Sequence, residues 1–251
     1  MILTYSCLLP ISLDSRESTN STKMNKKINQ IGISFFGRVM ASISHELKNR
    51  IAIIKEHAGL LKDYNAMAKQ GRKIDMERLR RLGQALGEQV VKADDILKNM
   101  NQMAHSIDEV LRQVGLKDLV RLVVDLAKRP ANLYYIELVF RPSESPITIT
   151  TSPFYMMNLI WLCLEAMFEL GESKRTIELK LENQNGSGAL IRMIMNGEIT
   201  KTDVNIINDN LLHLSSALRT VIEWQSANQT LLLQVPTNIT PDQLENDPEG
   251  M

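Results

Sequence analysis

The run FGRVMASISHELKNRIAIIKEHAGLL, residues 36–61, decides the architecture of the first half of the chain. Its apolar residues Phe36, Val39, Met40, Ile43, Leu47, Ile51, Ile54, Ala58 and Leu61 recur in steps of three and four, the spacing of one stripe along an α-helix. No proline interrupts the stretch from Lys26 to Ala68, so one long amphipathic helix is expected there. Gln70-Gly71-Arg72 breaks it. A second helix is expected from Asp75 as N-cap, with a stripe through Leu79, Leu82, Leu86, Val90, Ala93, Ile96 or Leu97, Met100, Met103, Ile107 and Val110. Gly83 and Gly87 lower its propensity by about 1 kcal/mol each, so packing must hold it. Two such helices joined by a short loop form an antiparallel hairpin with too little core to stand alone. A second copy would complete a four-helix bundle and bury both stripes, so an obligate homodimer is expected.

Beyond Gly115 the periodicity changes. Leu116–Lys128 reads as a helix, Tyr134–Phe140 and Ile147–Thr151 as strands, and Phe154–Leu170 as a buried helix entered at Pro153. The alternating segments Thr176–Leu181 and Ala189–Met195 flank Asn185-Gly186-Ser187-Gly188 and read as a hairpin. Val204–Trp224 is expected as a helix and Thr230–Val235 as a closing strand. The order α-β-β-α-β-β-α-β implies one mixed sheet with helices on one face, and the fold class is α+β. The expected division is a loose leader over 1–23, the helical hairpin over 24–115, the sandwich over 116–236 and a disordered tail over 237–251.

Composition bounds the function. Of 251 residues 44% are hydrophobic and 23% charged, enough to bury a core in each of two modest domains. Lys plus Arg and Asp plus Glu are 29 each, which argues against a dedicated nucleic-acid binder or a polybasic membrane protein. The zero is a composite. Residues 24–115 hold 16 basic and 10 acidic residues, and residues 116–251 hold 11 and 17, so a basic surface is followed by an acidic one. Cys7 and Cys163 form no metal or disulfide pattern, and a reducing compartment is expected. The apolar run Ile2–Leu13 is broken by Pro10 and too short to span a bilayer, Met24 is an alternative start, and the cytoplasm is the expected location.

The chemistry centres on Ser44-His45-Glu46-Leu47-Lys48-Asn49-Arg50. At about 100° per residue, His45 falls opposite the stripe centred between Ile43 and Leu47, and its imidazole is expected to face solvent. Asn49 lies one turn on at the same face, Glu46 is adjacent, and Arg38, Lys48 and Lys55 are expected to surround the site with positive charge as partner-binding residues. An exposed imidazole between a carboxylate and a carboxamide has the parts for phosphoryl transfer. Histidine is a nucleophile that titrates near neutrality, Glu46 can accept its proton or fix its tautomer, and Asn49 can orient a phosphoryl oxygen or a water. The plainer alternative is a surface histidine on a charged helix. His57, His105 and His213 have no such partner pattern and read as structural or incidental, while Trp161 and Trp224 read as filling between helices and sheet.

The stretch Ser44–Asn49, followed by an apolar run within a long helical hairpin, resembles the H-box of the dimerisation and histidine phosphotransfer domain of sensor histidine kinases. The resemblance implies that His45 is the phospho-accepting residue, Glu46 its acid/base neighbour, and Asn49 a residue supporting dephosphorylation of a response regulator. The family usually has proline after the asparagine, where this chain has Arg50. That proline bends the helix and is linked in the family to autophosphorylation, so Arg50 implies a straighter helix and favours phosphotransfer over autokinase action.

The second half resembles, in element order, the ATP-binding domain that follows the H-box domain in those kinases. There the family uses paired metal-binding asparagines on a buried helix, Asp-x-Gly-x-Gly turns and a glycine-bearing lid. Here Trp161 and Glu165 stand at the asparagine positions, Asn196-Gly197-Glu198 follows the strand, and no glycine occurs between Glu198 and Glu249. The resemblance therefore implies a degenerate ATPase sandwich and a dimeric histidine phosphotransferase that binds no cofactor. His45 would take phosphoryl from a receiver-domain aspartate and pass it to another receiver, magnesium being held by the receiver. A response-regulator phosphatase or sequestering partner, a kinase with a divergent ATP site, and a scaffold with a relic H-box are the alternatives.

Overall fold

The structure is a computed structural model and describes residues 14–171, 174–184, 186, 188–199 and 206–240. Helix α1 runs uninterrupted over Asp14–Lys69, turns back at Gly71, which has φ 75°, and is followed by α2 over Met76–Ala104. The Asp75 carboxylate accepts from the backbone N–H groups of Glu77 and Arg78, satisfying donors that the first turn of a helix leaves free. Because α1 begins at Asp14, residues 14–23 continue the helix instead of forming a loose leader; residues 1–13 lie outside the described residues. Helix α2 ends short of the expected Val110 and passes into a single 3-10 turn at His105–Ile107.

The remaining elements are β1 (Arg112–Gly115), α3 (Leu116–Leu133), β2 (Ile136–Arg141), β3 (Thr148–Thr151), α4 (Pro153–Phe168), β4 (Arg175–Asn183), β5 (Ala189–Asn196), α5 (Asp209–Ala217), β6 (Val221–Gln225) and β7 (Thr230–Val235). The main sheet has the order β2-β4-β5-β7-β6, with β2 and β4 parallel and the other pairs antiparallel. Strand β3 is not part of it. It pairs with β1, which periodicity did not reveal, in a separate two-stranded sheet. The chain beyond β7 also departs from the expected disorder as far as it is described. Thr150 donates its N–H to Thr237 and accepts from the N–H of Ile239, whose side chain is buried. Residues 241–251 lie outside the described residues.

The helix expected over 204–224 is instead α5, a turn, and the edge strand β6; residues 204 and 205 lie outside the described residues. The stop is a hydrogen-bonded one. Arg219 takes the left-handed conformation at φ 48°, its N–H bonds Ser216 O, and the Thr220 N–H bonds Ser215 O, which closes the last turn. Val221-Ile222-Glu223-Trp224 then follows with branched and aromatic side chains suited to a strand.

One face of the sheet is apolar and buried, through Ile177, Leu179, Leu181, Ile191, Met193, Leu231 and Leu233. The other carries ion pairs, Arg141–Glu178 at 3.0 Å, Lys180–Glu178 at 3.3 Å and Arg192–Glu182 at 3.2 Å. Arg175 is the buried exception, donating to the carbonyls of Phe168 and Gly171 at the C-terminal end of α4, where a helix leaves acceptors unpaired. Helix α4 is apolar nearly all round, as expected from its sequence, because further protein packs on its far side. That protein is α1. Ile28, Ile31, Phe35, Val39 and Ile43 are all buried and belong to the same core as α3, α4 and the sheet.

Candidate functional site

The stripe of α1 divides into two lengths with different partners. Residues 28 to 43 pack on the sheet-bearing half of the chain, whereas Leu47, Ile54 and Leu61 are only half-buried along the hairpin with α2. His45 stands two residues past the last docked position. Its side chain is exposed, as its helical phase predicts, and among the described residues it makes no hydrogen bond or ion pair. Asn49, Lys48 and Lys55 are likewise exposed and unpaired among the described residues, with Asn49 and Lys48 within about one turn of the imidazole and Lys55 about three turns further along α1.

Glu46 is not part of that open surface. One turn along the helix, Arg50 donates from Nη2 to Glu46 Oε1 at 3.3 Å and from Nη1 to Gln89 Oε1 on α2 at 3.2 Å. The Arg50 and Glu46 side chains are both about one-third exposed, and Arg50 Nε is buried without a partner. Residues four apart share a helix face, so Glu46 and Arg50 face α2 while His45 and Asn49 face solvent. Helix α1 passes through Arg50 without a break.

Arg38 also differs from expectation. Instead of lying free beside His45, its Nη1 reaches Glu165 Oε2 on α4 at 3.2 Å. Burial raises the Glu165 carboxyl above the usual carboxylate range, and the Arg38 guanidinium opposes that rise. Around this pair α1 is fastened to α4 at several points. Phe35 meets Phe154 at 5.6 Å and the edge of Trp161 at 5.7 Å between ring centroids. The Tyr155 hydroxyl donates to Asn29 Oδ1 at 2.9 Å, and Arg129 on α3 donates to Ser42 Oγ at 3.5 Å. A Cβ on Gly32 would lie 2.9 Å from Phe154 Cε1, so glycine is what lets the two helices approach this closely.

Trp161 therefore packs between α4 and α1, not against the sheet as the sequence suggested, and Trp224 sits half-buried on the edge strand β6. Trp161 and Glu165 both face α1. His57 is half-buried on α1, and His105 Nδ1 lies 2.8 Å from Asp108 Oδ2, a local pair away from His45 in the chain. Among the described residues no group of three or more His, Cys, Asp or Glu could hold a metal ion, and no helix is long and apolar enough to cross a membrane.

No family model and no curated protein matches the chain. Among solved structures it is similar to the catalytic domain of histidine kinase ThkA, at 10% identity and TM-score 0.43 over 52% of this chain and 99% of that one. It is similar to the Acinetobacter baumannii histidine kinase AdeS at 10% identity and TM-score 0.42, over 78% of this chain and 98% of that one. A structure of ThkA in complex with the response regulator protein TrrA is 15% identical with TM-score 0.42, over 93% of this chain and 69% of that one.

Proposed function

We propose that the protein is a histidine phosphotransfer protein of a two-component phosphorelay. The observation that carries this reading is His45 itself: an exposed, unpartnered imidazole in mid-helix, with Asn49 on the same face and Lys48 unpaired within one turn of it. A ring nitrogen of His45 attacks the phosphorus of a receiver-domain aspartyl phosphate. The P–N bond forms as the P–O bond breaks, and the aspartate carboxylate leaves with the electron pair. The remaining ring proton goes to a base, for which Glu46 is the adjacent candidate, and Lys48 offsets the phosphoryl charge. The reverse sequence passes the group to a second receiver. Positioning and electrostatics supply the catalysis, as in other phosphoryl transfers.

The seat of α1 on α4 supports a phosphoryl donor other than ATP. The helix face at which the resemblance would place nucleotide and metal carries Trp161 and Glu165, engaged by Phe35 and Arg38. The protomer also leaves Ile51, Leu60, Val90, Val91 and Leu97 of the hairpin exposed, which favours burial against a second copy in a four-helix bundle. The test is labelling by a phosphorylated receiver domain. The wild type should gain acid-labile phosphate, His45→Ala should gain none while eluting at the same size, and ATP with magnesium alone should label neither. Retained labelling of His45→Ala would overturn the assignment.

The exposed carboxamide of Asn49 favours a second reading, a phosphatase acting on a response regulator. If Asn49→Ala keeps His45 labelling but stops phosphate loss from the receiver, the phosphatase activity is the operative one.

A further inference from the structure

We propose that Arg50 is a positioning residue that restrains Glu46 and so sets the rate at which His45 is phosphorylated. The inference deepens the phosphotransfer reading and rests on it for the roles of His45 and Glu46.

The argument starts from where the carboxylate is. If Glu46 takes the second ring proton of His45, its carboxylate must turn toward the solvent face of α1. Here it is held on the neighbouring face, by a guanidinium that is itself anchored on the other helix of the hairpin through Gln89. Arg50 presents planar, forked donors, so one side chain can hold Glu46 with one arm and Gln89 with the other. The anchor has a consequence that a plain i,i+4 ion pair lacks. A free arginine would follow Glu46 as it swings outward, whereas one tied to α2 resists. Releasing Glu46 requires breaking a charge-assisted hydrogen bond in a partly buried setting, and the reactive arrangement is populated only by the fraction of molecules in which that has happened.

The restraint therefore acts as a brake, and its removal raises the rate. The contribution expected of one such contact corresponds to roughly a three- to tenfold change in population. Gln89 predicts a graded effect. Gln89→Leu removes the anchor and leaves both members of the ion pair, so it should give part of the acceleration seen with Arg50→Ala.

Phosphoramidate tests the proposal without a receiver. A His45 ring nitrogen forms the new P–N bond, the bond to the protonated nitrogen of phosphoramidate breaks, and ammonia leaves with its electron pair. The other ring proton passes to Glu46. Initial rates of His45 phosphorylation would be measured for the full-length wild type, Arg50→Ala, Glu46→Gln and the double variant, with thermal melting to confirm folding. The expected result is roughly a three- to tenfold gain for Arg50→Ala that disappears in the Glu46→Gln background. Arg50→Lys, which keeps the charge but not the fork, should fall between. An unchanged or slower Arg50→Ala, or a gain that survives Glu46→Gln, overturns the proposal. Failure of the phosphotransfer reading is seen separately, as a wild type that phosphoramidate labels and a phosphorylated receiver does not.

Discussion

Replacing Arg38 with alanine probes the junction that fixes α1 on α4. Arg38 and Glu165 lie 3.2 Å apart with side chains 45% and 27% exposed. Burial raises the Glu165 carboxyl and Arg38 counters the rise. With its folded pKa above the unfolded value, Glu165 favours the folded state most when protonated, and that advantage is lost as pH rises through the folded pKa. Arg38 recovers part of the loss by stabilising the ionised form, so its removal should matter at neutral pH and fade in acid. Because Arg38 is nearly half exposed, the pair itself contributes about 0.5 kcal/mol after solvent screening. Leaving a half-buried carboxylate without its cation adds about 1 kcal/mol. Arg38→Ala should thus cost about 1 to 1.5 kcal/mol near neutral pH and a few tenths at about pH 4, where Glu165 is largely protonated. Urea unfolding of the wild type, Arg38→Ala, Glu165→Gln and the double variant at both pH values, at one protein concentration, measures this directly. The Arg38→Ala penalty should shrink in acid and in the Glu165→Gln background. A penalty of equal size at both pH values, or one that persists when Glu165 is already glutamine, would refute the electrostatic account and leave only lost packing of the arginine stem.

Three further substitutions test other parts of the fold by the same urea assay. Asn158 is fully buried on α4 with neither amide atom partnered, so Asn158→Leu should raise stability by about 1 to 2 kcal/mol; a fall would show that the amide is satisfied in solution. Gly188 has φ 112° and leaves no room for a Cβ against the Val235 carbonyl, so Gly188→Ala should cost more than about 2 kcal/mol by disturbing the join between β5 and β7. Gly32→Ala forces the Phe154 ring away from α1 and should cost about 1 to 2 kcal/mol, with increased protease sensitivity near the N-terminal half of α1.

What the sequence made legible and what it did not follow from the range of the interactions involved. The Asp75 cap, the proline entry to α4 and the phase that exposes His45 are local, and each was readable from neighbours within a turn. The end of α5 was missed although it is also local, because Arg219 occupies the left-handed position where glycine ordinarily announces a stop. Strand β1, Arg-Gln-Val-Gly, has too few alternating residues to register as a strand, and exists because Thr148–Thr151 lies beside it. At the site, His45 and Asn49 were legible from helical phase, but the destinations of Arg38 and Arg50 were not. Arg38 answers to a carboxylate on α4, and Arg50 to an amide whose position depends on the register of the hairpin. Charge counting could not say that Arg38 and Arg50 are both spent on pairs within the molecule.

The docking of α1 on α4 also sets where His45 stands. Under the phosphotransfer reading, α1 must expose His45 and still hold it rigidly enough to present it. In α1 these demands are met by different stretches of one element. Residues 28 to 43 are fixed by burial against α4 and by the Arg38–Glu165 pair, and His45 follows within about 3 Å of axial rise from the last fixed residue. If the sheet-bearing half had to swing toward His45 to deliver a phosphoryl group, it would first have to release Phe35, Val39 and Ile43 from a common core, at a cost of several kcal/mol of apolar burial. A donor arriving from solvent meets no such barrier. On the phosphotransfer reading proposed above, the contacts that immobilise α1 therefore favour a second protein as the source of phosphate.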